Sequence, residues 1–189
     1  MAQVKGIAIL GLIKFIKKNM KDDLPKIIAS LPPETRKYVG EHILLTEWYP
    51  YTLYTDLLKM MDRVVGRGDL SYCIEQGKLS AQHDLSTVYR IFLNFISPNM
   101  IINKAMSIGY SCYDVGKVEA SMLPDHGIVV TIKEFPDIDI AHVKNAQGWL
   151  EQFLVMCKFQ NVKSGIEKCP CYGDPCTEIR FTFKSEEGG

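Results

Sequence analysis

Glu167-Lys168-Cys169-Pro170-Cys171-Tyr172-Gly173-Asp174-Pro175-Cys176 runs directly into Thr177-Glu178-Ile179-Arg180-Phe181-Thr182-Phe183-Lys184. In the second stretch Ile179, Phe181 and Phe183 alternate with Glu178, Arg180, Thr182 and Lys184. That two-residue period is the mark of a strand with one buried and one wet face. In the first stretch, Cys169, Cys171 and Cys176 sit among Pro170, Gly173 and Pro175, residues that bend a chain sharply. Val162 to Lys168 reads as a strand entering this turn. The end of the chain is therefore strand, sulfur-rich turn, strand.

Working outward, Asp139 caps a long amphipathic helix carrying Val143, Ala146, Leu150, Phe153, Leu154 and Cys157. Before it, Val118, Ala120 and Met122 alternate with Lys117, Glu119 and Ser121, and Ile128 to Phe135 is rich in β-branched residues. Pro124-Asp125-His126-Gly127 joins the two as a hairpin. Residues 113–185 thus predict a ββαββ half. Residues 1–112 read as helical. Ile9, Leu12, Ile13, Ile16 and Met20 share one face, and a short helix ends before Pro32-Pro33. Glu34 to Leu45 reads as another short helix. After Pro50, Leu53, Leu57, Leu58, Met61 and Val64 line a face. Asp69 caps a helix from Leu70 to Gln76, Asp84 opens a further one, and Ser97-Pro98 starts the next. Helices segregated from hairpins predict one α+β domain over residues 1–189, its helical half packed on a four-stranded antiparallel sheet.

Composition excludes several classes. The 189 residues are 47% hydrophobic and 23% charged, an ordinary globular balance. Lys and Arg total 22 and Asp and Glu total 22, so no general nucleic-acid footprint is expected. The apolar N-terminus, Val4 to Ile13, is shorter than the about 20 residues a membrane span requires and shows no clear cleavage site. A cytoplasmic protein is expected, with Cys73, Cys112, Cys157, Cys169, Cys171 and Cys176 as thiols or metal ligands rather than disulfides.

The cysteine turn admits three chemistries. Thiolates suit tetrahedral zinc, with Cys169, Cys171, Cys176 and Glu167 as the expected ligands and Cys157, Cys112 or His126 as further donors. The turn also suits small reduced thiols, or a strained disulfide between Cys169 and Cys171. Elsewhere, Leu57, Met61, Phe92, Phe95, Met100 and Met106 are the residues expected to line a site for a small hydrophobic ligand between helices and sheet; a closed core is the alternative. Lys14, Lys17, Lys18 and Lys21 form a basic run on the first helix, read as a solvated face or as a dock for an acidic partner or membrane surface. No P-loop, G-x-G-x-x-G or G-x-S-x-G is present, and His42, His83, His126 and His142 have no partner at triad or H-E-x-x-H spacing. No enzyme is expected.

The Glu-x-Cys…Gly-Asp-Pro-Cys segment, the alternating final strand and the helical first half together resemble the vinyl-reductase-type (4-vinyl reductase) small-molecule-binding domain. That fold is related to TRAPP-type trafficking subunits and, more distantly, to H-NOX haem domains. Trp48-Tyr49-Pro50-Tyr51 and Ser97-Pro98 also resemble a paralogous family of myxobacteria and related deltaproteobacteria. In the vinyl-reductase pattern an acidic residue stands three before the first of two cysteines, which are separated by seven residues. Cys169 matches the first cysteine and Gly173-Asp174 the turn. Cys176 comes one residue early, Glu167 stands two before Cys169, and Cys171 is available as a substitute ligand. The H-NOX resemblance implies a haem-ligating histidine on a helix and a Tyr-x-Ser-x-Arg signature. The signature is missing, and His83, near the start of a helix, reads as a capping or exposed residue, so haem is not expected.

The function expected from these observations is a non-enzymatic sensory or adaptor domain that binds a small hydrophobic molecule, with zinc at the turn. The alternatives are a closed interaction module acting as a homodimer or with a protein partner, and a haem-based gas sensor.

Overall fold

The buried side of one helix organises the N-terminal part of the chain. In the computed structural model, which describes residues 1–39, 42–84, 111–124 and 127–184 (backbone only at 83 and 84), that helix is α4 (Tyr51–Val65). Before it come β1 (Gln3–Lys5), α1 (Gly6–Asn19), α2 (Leu24–Ser30), α3 (Pro33–Val39) and β2 (Trp48–Pro50). After it come α5 (Ser71–Asp84), β3 (Lys117–Met122), β4 (Ile128–Lys133), α6 (Ile140–Met156), β5 (Gln160–Lys168) and β6 (Thr177–Lys184). The class is α+β with a four-stranded antiparallel sheet, as the periodicities predict. Among the described residues, one compact unit comprises 1–73 and 112–115, and a second comprises 74–84, 111 and 116–184.

In the first unit Leu53, Leu57, Leu58 and Met61 of α4 are fully buried, as are Ile9 and Ile16 of α1 and Ile27 of α2. Helices α1, α2 and α3 each touch α4. Strands β1 and β2 form a small antiparallel pair with Val4 opposite Tyr49. The chain returns to this pair near residue 113: Lys5 N donates to Cys112 O at 2.8 Å, and Gln3 N to Asp114 Oδ1 at 2.6 Å. The sequence reading did not anticipate this pair. Each strand is three residues long, and one runs into Gly6 of the helix while the other ends at Pro50, so no period of two develops.

Asp62 of α4 is buried completely. Its carboxyl oxygens accept from Leu70 N at 2.9 Å and Tyr72 N at 2.8 Å. Leu70 has φ +64°, a left-handed conformation that leucine rarely takes. The buried acid fixes that strained residue and satisfies an amide in the first turn of α5. Asp69 adds the expected cap by accepting from Ser71 N at 2.9 Å.

In the second unit α5 continues past Gln76, where the sequence pattern ended it, and is helical through Asp84. The helix expected beyond Asp84 lies outside the described residues. Gly77 sits inside α5 because a neighbouring backbone lies against it. A Cβ there would strike the Asn145 carbonyl of α6, and a Cβ on Gly148 of α6 would strike the Ile74 carbonyl of α5. Buried polar groups line the same contact: Asn145 Nδ2 donates to Gln76 Oε1, and Gln76 Nε2 to Ser80 Oγ at 2.6 Å. The expected cap is present, with Asp139 accepting from Ala141 N at 2.9 Å. Helix α6 lies on β5 and β6. The sheet order is β3-β4-β6-β5, and the cross-strand pairs Ile128–Phe181, Val130–Ile179 and Ile132–Thr177 form its buried face.

Gly148→Ala is expected to destabilise by an amount at the upper end of the ~1–3 kcal/mol range of overpacking, because a backbone carbonyl cannot rotate away. Gly11→Ala, in α1 with nothing near its Cβ, is expected to stabilise by about 0.5–1 kcal/mol. Urea unfolding of both variants reads the opposite signs. Asp62→Ala is expected to cost about 1–3 kcal/mol on the same assay, since two partly buried amides lose their acceptor.

Candidate functional site

The turn between β5 and β6 is built from short-range hydrogen bonds. Pro170 fixes the entry to a single 3-10 turn, Pro170–Tyr172. Tyr172 N donates to Cys169 O at 2.8 Å, and Gly173, with φ +94°, closes the turn by donating to Pro170 O at 3.0 Å. Asp174 reaches back so that its Oδ2 accepts from Cys169 N at 2.9 Å. The turn brings the Cα atoms of Cys169 and Cys171 to 5.2 Å, within the range that a disulfide bridges, and the two sulfurs are bonded. Cys169 is fully buried while Cys171 is exposed. Cys176, half-buried just before β6, donates its thiol proton to Glu178 Oε1 at 3.8 Å. Glu178 also accepts from Lys168 Nζ at 2.9 Å.

These facts correct the expectation of thiols or a zinc site. Neither disulfide-bonded sulfur is a thiolate, so Cys169 and Cys171 do not present ligands in this state. Glu167 lies exposed on β5 and faces Arg180 at 3.6 Å. Cys157 caps α6 within an apolar cluster that includes Ala81, Phe153, Trp149 and Met156, where burial pushes its thiol up to about 12. Cys112 belongs to the first unit, and His126 lies outside the described residues. Among the described residues no group of three or more His, Cys, Asp or Glu is gathered for a metal.

A shallow cleft of about 340 Å³ opens beside the turn. Ile132, Glu134, Phe135 and Pro136 form one side, and Pro170, Gly173, Asp174, Pro175 and Cys176 the other. Thr177 stands opposite Ile132 on the same sheet face, and its Oγ1 is buried without a hydrogen-bond partner among the described residues. Walls that mix Ile132, Phe135 and prolines with Glu134, Asp174 and the Cys176 thiol suit a small molecule that is part apolar and part polar. The sequence reading missed this cleft because it needs Phe135 and Pro136, just past β4, to meet a turn more than thirty residues later.

Of the apolar residues expected to line a ligand site, Leu57 and Met61 are fully buried on α4. Phe92, Phe95, Met100 and Met106 lie outside the described residues. His142 on α6 is buried and sets its ring against Phe135 at 6.0 Å between centroids. Burial pulls its imidazole down to about 4, and the nearby Asp139 charge offsets this only in part. Above about pH 6.5 the ring is neutral folded and unfolded; below it the unfolded chain takes up a proton that the folded chain refuses until about pH 4. Stability is therefore expected to fall as pH drops through this window, at up to about 1.4 kcal/mol per pH unit from this group. His142→Leu is expected to flatten the slope measured by urea unfolding between about pH 6.5 and 4.5.

No protein-family description matches the chain, and no curated protein matches it. Solved structures do match. An H-NOX protein from S. oneidensis, in an Fe(II)NO ligation state, aligns over 96% of this chain and 99% of its own, with TM-score 0.69 and 9% identity. An Fe(II) unliganded H-NOX protein from K. algicida aligns over 98% of this chain and 99% of its own, with TM-score 0.69 and 10% identity. The H-NOX from Shewanella woodyi, in an Fe(II)CO ligation state, aligns over 97% and 96%, with TM-score 0.61 and 12% identity. At such identities the likeness is one of fold: the chain has an H-NOX-like fold.

Proposed function

We propose that this chain is a non-enzymatic sensory domain that responds to a small, partly apolar ligand without using iron. The observation that carries the proposal is the end-to-end likeness to H-NOX structures, whose full lengths align with nearly the whole of this chain. The iron of those structures, read here as haem iron, does not suit the residues present. The Tyr-x-Ser-x-Arg signature is missing, and residues 85–110 contain no histidine. His42 is exposed in the loop before β2, and the ring of His142 packs on Phe135. The cleft beside the cysteine turn supports a small organic ligand instead, since Ile132, Phe135 and three prolines line it together with the polar groups of Glu134, Asp174 and Cys176.

A second reading is favoured by the iron-bearing neighbours themselves. In it, haem is held through His83 in the last turn of α5.

One experiment separates the two. Freshly purified protein is examined by native mass spectrometry, then titrated with haem and followed by absorption. The expected result is a bound organic mass and no Soret band that His83→Ala abolishes. A stoichiometric Soret band lost in His83→Ala overturns the iron-free proposal and establishes the second. Protein that carries no organic mass, and binds none from a panel of partly apolar small molecules, overturns ligand sensing.

A further inference from the structure

The neutral total charge conceals a segregated one. Residues 1–21 contain Lys5, Lys14, Lys17, Lys18 and Lys21 and no Asp or Glu. On α1, Ile7, Gly11, Lys14 and Lys18 recur at spacings of three and four, so they share one face. All four are exposed, as are Lys17 and Lys21, while Ile9, Leu12, Ile13 and Ile16 are buried on the opposite side. Among the described residues no carboxylate pairs with Lys14, Lys17, Lys18 or Lys21.

The N-terminal end of this face is apolar. Ile7 N donates to Leu45 O at 3.0 Å and Gly6 N to Glu47 O at 2.9 Å, which brings the loop before β2 against the start of α1. There Ile7 is 51% exposed, Leu44 49%, Leu45 56% and Trp48 41%. Lys5 Nζ stands 5.2 Å from the centre of the Trp48 ring. Large apolar side chains this exposed, gathered at one end of a helix whose outer face is lysine, are not what a purely solvated surface presents.

We propose that this face of the first unit docks on an anionic lipid bilayer. Ile7, Leu44, Leu45 and Trp48 enter the headgroup boundary, and the lysines lie over the phosphates. A tryptophan beside leucines matches the chemistry of that boundary, apolar below and wet above. The composition separates the bilayer from an acidic protein. Protein interfaces are depleted of lysine and enriched in arginine, whereas residues 1–21 hold five lysines and no arginine. A fluid, multiply charged surface needs only point charges on flexible stems, which lysine supplies.

The test uses the full chain with Trp149→Phe, so that Trp48 is the sole tryptophan of the two. Vesicles of phosphatidylcholine alone, and mixed with phosphatidylglycerol at roughly two to one, are titrated at low and high salt. Binding is expected to the anionic vesicles only, weakened by salt, with a blue shift of Trp48 emission. Replacing Lys14, Lys17, Lys18 and Lys21 with Gln is expected to weaken sedimentation with these vesicles by about a hundredfold or more. Leu45→Ser with Ile7→Ser is expected to weaken it by about tenfold. All six positions are exposed, so the variants keep the fold, as circular dichroism would verify. Absence of binding to anionic vesicles at low salt overturns the proposal, as does equal binding by the Lys→Gln variant. Salt-sensitive binding without a Trp48 shift overturns the insertion. Failure to bind vesicles together with capture of an acidic protein by the same lysines assigns the face to a protein partner instead.

Discussion

Two glycines set the geometry of the second unit. At Gly77 and Gly148 the backbones of α5 and α6 meet with no side chain between them. A contact that close leaves room for only a few polar groups, and those present are joined to one another: Gln76, Ser80 and Asn145. Further along, Lys78 pairs with Glu151 at 3.2 Å, Ser164 Oγ donates to Glu151 at 2.7 Å, and Gln147 donates to Ser164 at 2.9 Å. The position of α6 is therefore tied on one side to α5 and on the other to β5. The buried sheet face, the ring of Phe135 and the cleft at the turn all follow from where α6 lies.

Much of this was legible because it is local. Alternation at Ile179, Phe181 and Phe183, β-branching over Ile128–Ile132 and the cap at Asp139 each signal structure within a few residues, and the four strands and α6 form there. What was not legible depends on partners distant in sequence. The helix read as Leu70 to Gln76 runs on through Gly77 because Asn145, far away in sequence, lies against that glycine. The β1–β2 pair joins three-residue strands more than forty positions apart. At the candidate site the turn was foreseen, but the Cys169–Cys171 bond stood only as one of three alternatives beside zinc ligands and free thiols. Spacing alone cannot distinguish converging thiolates from a bonded pair; the 3-10 turn at Pro170 decides it by placing Cys169 and Cys171 a disulfide's width apart.

The fold likeness and the site residues carry different information. Fold survives at 9–14% identity because buried periodicity and close helix contacts can be met by many sequences. A ligand site cannot drift so freely, since it needs particular donors at particular places. Among the described histidine side chains, His42 lies in an exposed loop and His142 packs its ring on Phe135.

The lysine-only stretch at residues 1–21 has an electrical consequence. With 22 charges of each sign overall, the remaining residues carry five more acids than bases. The first 21 residues thus carry a local positive field that the net charge of zero does not reveal. That field falls off within a Debye length, so its pull on an anionic surface weakens as salt is added.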